Sequence, residues 1–183
     1  ANRDPRLTAT VVYNGYVWKD RNDKGEYVTK GTINVTAGND KAGTDNGSPT
    51  GFYTRKYFDT THGKNLEMWT NIIMMRYADV LLMKSEAKVR NGENGDEELN
   101  RVRSRVAAPY REATLNTLLD ERQLEFAWEG WRRQDLVRFG LFTRPYSSRP
   151  QLAGEASGYT TVFPIPDKVR RMNPNLVQNP GYK

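Results

Sequence analysis

The stretch Glu121-Arg-Gln-Leu-Glu-Phe-Ala-Trp-Glu-Gly-Trp-Arg-Arg-Gln-Asp-Leu-Val-Arg-Phe-Gly140 constrains this chain more than any other. At about 100° per residue, Leu115, Leu118, Leu119, Arg122, Phe126 and Glu129 fall on one helical stripe, with Glu125 at its edge. Leu124 and Trp128 add apolar groups on other sides, so the spacing predicts a helix buried over much of its circumference. That face carries charge, and buried charge persists only when paired and hydrogen-bonded. Glu121, Glu125 and Glu129 repeat at i, i+4 and i+8 and repel one another unless cations intervene. Arg122, Arg132 and Arg133 are the cations nearest in sequence. A second short helix, Trp131 to Phe139, repeats the device with Asp135 and Arg138. Gly130 divides the two helices and Gly140 suits a C-terminal cap. The expectation is an interior ion network of Glu121, Arg122, Glu125, Glu129, Arg132, Asp135 and Arg138 that locks two helices together.

This network sits in a polar chain. Its 183 residues suffice for one domain with a sizeable core, but a mean hydropathy of −0.82 assigns much of the chain to loop and surface. A net charge of +6 raises the question of nucleic acid. The 28 lysines and arginines are dispersed among 22 acids, with no basic run interleaved with aromatics. A solvated mixed-charge surface is therefore expected, and no nucleic-acid partner. Cysteine is absent, which excludes disulfides, thiolate catalysis and cysteine metal sites. No apolar run is long enough to span a bilayer, and Ala1-Asn-Arg-Asp-Pro5 does not read as an export signal.

Along the chain, Asp4-Pro5 starts a turn. Leu7 to Trp18 and Tyr27 to Val35 have strand composition and flank Asn22-Asp-Lys-Gly25, predicting a β-hairpin. That turn half-matches a calcium loop, but Lys24 stands where an oxygen ligand is needed. Gly38 to Gly51 is a polar loop without a phosphate-loop ending. Ile73, Tyr77, Val80, Leu81, Lys84 and Ala87 keep helical spacing over roughly 71–91, and Gly92 ends that helix. Asp96 to Val106 predicts a second helix, antiparallel to the first, and Thr114 caps the signature helix. Residues 144–161 are loop. The tail from Phe163 is punctuated by prolines, leaves room for one helical turn at Asp167 to Met172, and must gain its order by docking. The fold class is mainly α: helix pairs of a helical-repeat kind, a β-hairpin and long irregular loops.

Five blocks resemble one family. Arg76-Tyr-Ala-Asp-Val-Leu-Leu-Met-Lys-Ser-Glu-Ala87, Leu99-Asn-Arg-Val-Arg-Ser-Arg105, Glu121 to Gly140, Phe163-Pro-Ile-Pro166 with Asn173-Pro-Asn-Leu-Val-Gln-Asn-Pro-Gly-Tyr182, and Asp4-Pro-Arg-Leu7 occur in the order of the SusD/RagB family's landmarks. Phe139, Lys84 and Lys168-Val-Arg170 depart from its usual residues. The resemblance implies a SusD-like fold with tetratricopeptide-type helix pairs. It also implies a lipid-anchored nutrient-binding protein on the cell-surface side of the outer membrane. Such a protein hands oligosaccharides, or in some members peptides, to a SusC-like TonB-dependent barrel. The family's members are much longer, so the chain is expected to be a C-terminal portion, with the lipid-bearing cysteine in a missing N-terminal part. Within it, 1–70 is read as hairpin and loop, 71–142 as paired helices and 143–183 as a docked loop and tail.

No cofactor, metal or catalytic group is expected. The single histidine, His62, lies in a polar loop without a nucleophile motif. Two carboxylates of the 121–135 set could in principle hydrolyse glycosides, but each has an arginine within three or four residues, which lowers the pKa a general acid must keep high. Sugar binding needs exposed ring faces with polar groups at their edges. The candidates are Tyr16, Trp18, Tyr53, Tyr57 and Trp69; packing against absent parts of a longer protein is the competing explanation for these rings. A general helical-repeat interaction protein remains the alternative class.

Overall fold

The computed structural model describes residues 3–22, 24–38, 41–43, 47–58, 70–146 and 150–182. Its regular structure is mainly α-helical, with two small two-stranded sheets. The chain resolves into two units, Ala1–Gly130 and Trp131–Lys183. Among the described residues, no helix is long and apolar enough to cross a membrane.

The first unit opens differently from the strand expected at Leu7. The Asp4 carboxylate accepts the Arg6 N–H at 2.9 Å, and the Leu7 N–H reaches the Asp4 carbonyl at 3.1 Å. This local turn directs the chain into a short helix, α1 (Leu7–Thr10), despite its strand-like composition. Only then does β1 (Val11–Val12) begin, and it pairs with β4 (Tyr53–Thr54) rather than with its neighbour in sequence. Gly15, at a φ of 82°, turns the chain away from β1. The expected hairpin follows as β2 (Val17–Arg21) and β3 (Tyr27–Thr32). Asn22 closes its turn, its side-chain oxygen accepting the N–H groups of Lys24 and Glu26, both at 2.9 Å.

Three helices hold the core of this unit. Helix α2 (Tyr77–Arg90) packs against α3 (Asp96–Ser104) and α4 (Leu115–Glu125). Leu82, Leu99 and Leu118, one from each helix, are completely buried. Helix α2 begins later than its apolar spacing suggests: Ile72 to Met75 are exposed, and Arg76 is extended at its N-cap. Gly92 ends it in a left-handed turn, the Glu93 N–H bonding the Lys88 carbonyl at 2.8 Å. Helix α3 stops at Ser104, short of the expected Val106, and the chain then turns at Ala107 with a φ of 54°. Thr114 and Thr117 cap α4 reciprocally, each side chain accepting the other's backbone N–H.

Helix α4 also ends before the predicted stripe does. Lys56 and Arg76 both donate to the Glu125 carbonyl at 2.7 Å. Two cations on one terminal carbonyl favour the C-terminus of a helix dipole there, and Trp128 follows in a left-handed conformation with a φ of 68°. Glu129 is therefore carried off the helix.

In the second unit, α5 (Arg132–Arg138) ends at Gly140, the Leu141 N–H reaching back to the Leu136 carbonyl at 2.8 Å. The tail, with α6 (Asp167–Met172), is held by side-chain hooks. The Gln178 amide accepts the Ile165 N–H at 2.8 Å and donates to its carbonyl at 3.0 Å. Asn179 holds the Phe163 carbonyl at 2.7 Å, and the Tyr182 hydroxyl holds that of Val162 at 2.9 Å. The polar side chains thus supply hydrogen bonds where Pro164, Pro166, Pro174 and Pro180 have no N–H to give.

Candidate functional site

Strand β2 and segment 53–58 bring the first unit's rings together. Tyr16 and Trp18 are two residues apart and share a side, with ring centroids 6.2 Å apart. Tyr13 meets Tyr16 edge-on at 5.8 Å, and Phe58 meets Trp18 edge-on at 4.6 Å. These are attractive arrangements for quadrupolar rings. Arg55 completes the group: its guanidinium carbon lies 5.7 Å from the centroids of both Trp18 and Phe58, and its Nε donates to the Tyr16 hydroxyl at 3.2 Å. The Tyr53 hydroxyl is fixed by the Ser48 N–H at 3.1 Å.

Val12, Trp18, Ile33, Tyr53, Thr54 and Phe58 line a cleft of about 420 Å³. The rings are half-buried, so each residue keeps part of its surface open to solvent. Apolar faces bordered by a guanidinium and hydroxyls can hold a polyhydroxyl ring through C–H contacts and edge hydrogen bonds.

The structure divides the sequence-derived candidates. Tyr16, Trp18 and Tyr53 belong to this cleft or its rim. Tyr57, at a φ of 64°, lines a second cleft instead. Trp69, like His62, lies outside the described residues. The sequence reading does not select Tyr13, Arg55 or Phe58. Arg55 and Phe58 sit in the same short segment as Tyr57, but only the distant pairing of β1 with β4 brings that segment to Trp18.

The second cleft is walled by ion pairs. Glu121 is completely buried and accepts from Arg6 at 2.6 Å and from Arg103. Glu125 accepts from Arg6 at 2.8 Å, from Arg105 at 2.7 Å and from Arg76. Glu129 takes Lys56 at 2.6 Å and Arg76 at 2.9 Å. Asp4 holds the outer edge of Arg6 at 2.9 and 2.7 Å. These partners of Glu121, Glu125 and Glu129 lie far from them in sequence, where the expectation was cations from neighbouring residues. Arg122 stands a helical step of about 100° from Glu121 and reaches Asp79 on α2 at 2.7 Å. Phe126 lies between Arg76 and Arg122, whose guanidinium carbons are 4.6 and 4.9 Å from its ring centroid. Arg132, Asp135 and Arg138 lie in the second unit, where Arg138 donates to Asp135 at 2.8 Å.

This arrangement fixes protonation. Burial pushes the Glu125 carboxyl up, but hydrogen bonds from Arg76 and Arg6 outweigh it and hold the group below its ordinary value. That is the reverse of what a general acid requires. The Arg6 side-chain hydrogen bond holds Asp4 down to about 2. Lys84 and Lys88 on α2 hold Glu98 on α3 down to about 2. In the unfolded chain such carboxyls titrate near about 4. Between that pH and about 2, the unfolded chain binds more protons than the folded one, so stability falls as pH falls through this window. The melting temperature is expected to be insensitive to these groups above about pH 5 and to drop steeply between about pH 4 and 2. A melting temperature unchanged from pH 5 to pH 2.5 would contradict it.

Comparison with known proteins decides the family. The model of the SusD family matches residues 1–182. The chain belongs to the SusD family. Starch-binding protein SusD of Bacteroides thetaiotaomicron is 36% identical over 121 residues, which are 62% of this chain and 22% of that protein. The crystal structure of a SusD-like protein from Bacteroides fragilis matches 98% of this chain and 39% of its own length, with a TM-score of 0.77 at 24% identity. A laminarin-binding SusD-like protein matches 98% of this chain and 35% of its own, with a TM-score of 0.67 at 29% identity. The chain thus spans well under half the length of each of these SusD relatives.

Proposed function

We propose that this chain is part of a cell-surface protein that captures oligosaccharides and delivers them to a SusC-like TonB-dependent barrel of the outer membrane. In this reading the whole protein is lipid-anchored on the outer face, binds its ligand and does not turn it over. The observation that carries the binding role is the cluster of half-buried rings around Trp18 with Arg55 among them. Family membership supports the same reading, as do relatives whose names speak of starch and laminarin. The ionised Glu125 supports binding over hydrolysis.

Trp18→Ala tests it on the intact protein with a panel of malto-, laminari- and other neutral oligosaccharides beside short peptides. Affinity for the bound oligosaccharide is expected to fall roughly tenfold, from the loss of ring contact and buried area. A drop in melting temperature with unchanged affinity would assign Trp18 to packing instead. Preference for the peptides would move the ligand class. Delivery is tested separately, by whether a large outer-membrane barrel copurifies with the protein.

A further inference from the structure

We infer that the second cleft is an anion subsite that takes the carboxylate of an acidic sugar. Its volume, about 540 Å³, lies within the roughly 300–1,000 Å³ of small-ligand pockets. Arg6, Lys56, Arg76 and Arg105 line it against two carboxylates, Glu125 and Glu129. Both oxygens of each carboxylate already accept from cations: Arg76, Arg105 and Arg6 on Glu125, Lys56 and Arg76 on Glu129. They are poorly placed to coordinate a metal or hold a cationic ligand as well.

The cations are not equally committed. Arg6 is buried and turned to Asp4, Glu121 and Glu125. Arg105 is 58% exposed. Its Nη2 alone spans both Glu125 oxygens, at 2.7 and 3.0 Å, and its Nε and Nη1 have no partner among the described residues. Charge-assisted donors of this kind prefer a carboxylate to a neutral oxygen. The remaining wall includes Pro5, Ala9, Ile73, Val106 and the Tyr57 ring, which suits the carbon skeleton of a ring bearing that carboxylate. The sugar part of the inference rests on the carbohydrate reading above. The anionic part stands on the cleft itself.

The test is calorimetric titration of the intact protein with a tetragalacturonide, its methyl ester and acetate at low ionic strength. The acid is expected to bind about tenfold more tightly than the ester, as a charge-assisted contact to Arg105 implies. This preference should shrink in high salt and disappear in Arg105→Gln. Because Arg105 also touches Glu125, a second variant, Ala9→Asp, places a negative charge on the cleft wall without removing any ion pair. It should abolish the preference while leaving the melting temperature and neutral-oligosaccharide binding unchanged. Equal affinity for acid and ester overturns the subsite, as does a preference that survives in Ala9→Asp. Acetate binding as tightly as the tetragalacturonide overturns the sugar class. Failure of the aromatic-cleft reading shows differently: neutral oligosaccharides would then ignore Trp18→Ala whatever the acid-to-ester ratio.

Discussion

Glu121→Gln is expected to destabilise the protein by about 3–5 kcal/mol, the cost of breaking a buried ion pair from one side. Glu121 has no solvent exposure, and its two oxygens accept from the Nη1 atoms of Arg6 and Arg103, themselves buried. Glutamine keeps the shape but loses the charge, and its amide nitrogen turns a donor toward guanidinium donors. Arg6 retains Asp4 and Glu125. Arg103 retains a hydrogen bond from its Nε to the Pro109 carbonyl at 2.7 Å. The stranded charge is therefore chiefly that of Arg103, at the C-terminal end of α3. Urea unfolding should show a large fall in midpoint at constant slope. Arg103→Met paired with Glu121→Leu should cost clearly less than the sum of the two single changes, because the second removes what the first strands. A Glu121→Gln variant that melts with the parent protein would show that the cluster is not held by charge.

The acids of this cluster are legible in the sequence and most of their partners are not. Glu129 and Glu125 announce themselves because they lie on, or at the edge of, a helical stripe with Leu118, Phe126 and Arg122, and Glu121 joins them through the i, i+4, i+8 spacing; carboxylates in such places need cations. No periodicity points to Arg6, which reaches Glu125 across 119 residues. Nor does any local pattern pair Arg103 with Glu121 or Arg76 with Glu129. The family landmarks contain Arg6, Arg76, Arg103 and Arg105, which marks them as a set but not as partners. Helix ends failed for a similar reason. The α4 terminus is set by side chains of Lys56 and Arg76 arriving at the Glu125 carbonyl, and the start of α1 by the Asp4 side chain. At the aromatic cleft, the period of two gives Tyr16 and Trp18 from sequence. Phe58 and Arg55 depend on a long-range strand pairing of two residues on each side, too short to leave a pattern.

Gly95→Ala is the second large effect expected, about 2–3 kcal/mol, toward the upper end of overpacking costs. The backbone does not demand glycine there: Gly95 has a φ of −104° and ψ of 8° at the N-cap of α3, which an alanine can adopt. The demand comes from α2. A Cβ on Gly95 would stand 2.6 Å from the Ser85 hydroxyl oxygen and 2.7 Å from the Ser85 carbonyl oxygen. Ser85 is completely buried, and its hydroxyl donates to the Gly95 carbonyl at 2.7 Å, so the two segments already touch. If the hydroxyl were the obstacle, Ser85→Ala would rescue the variant. The carbonyl is part of α2, and relieving it means moving that helix together with Leu81, Leu82 and Asp79. The double variant Ser85→Ala/Gly95→Ala should therefore remain at least as unstable as Gly95→Ala. Any shift of α2 is felt at its N-cap, because Arg76 binds Glu125 and Glu129 from there. Gly95→Ala should accordingly disturb the charged cleft, which it does not touch, before it disturbs the aromatic one. Amide exchange in the two regions reads that order, and full rescue of stability by Ser85→Ala would refute the backbone clash.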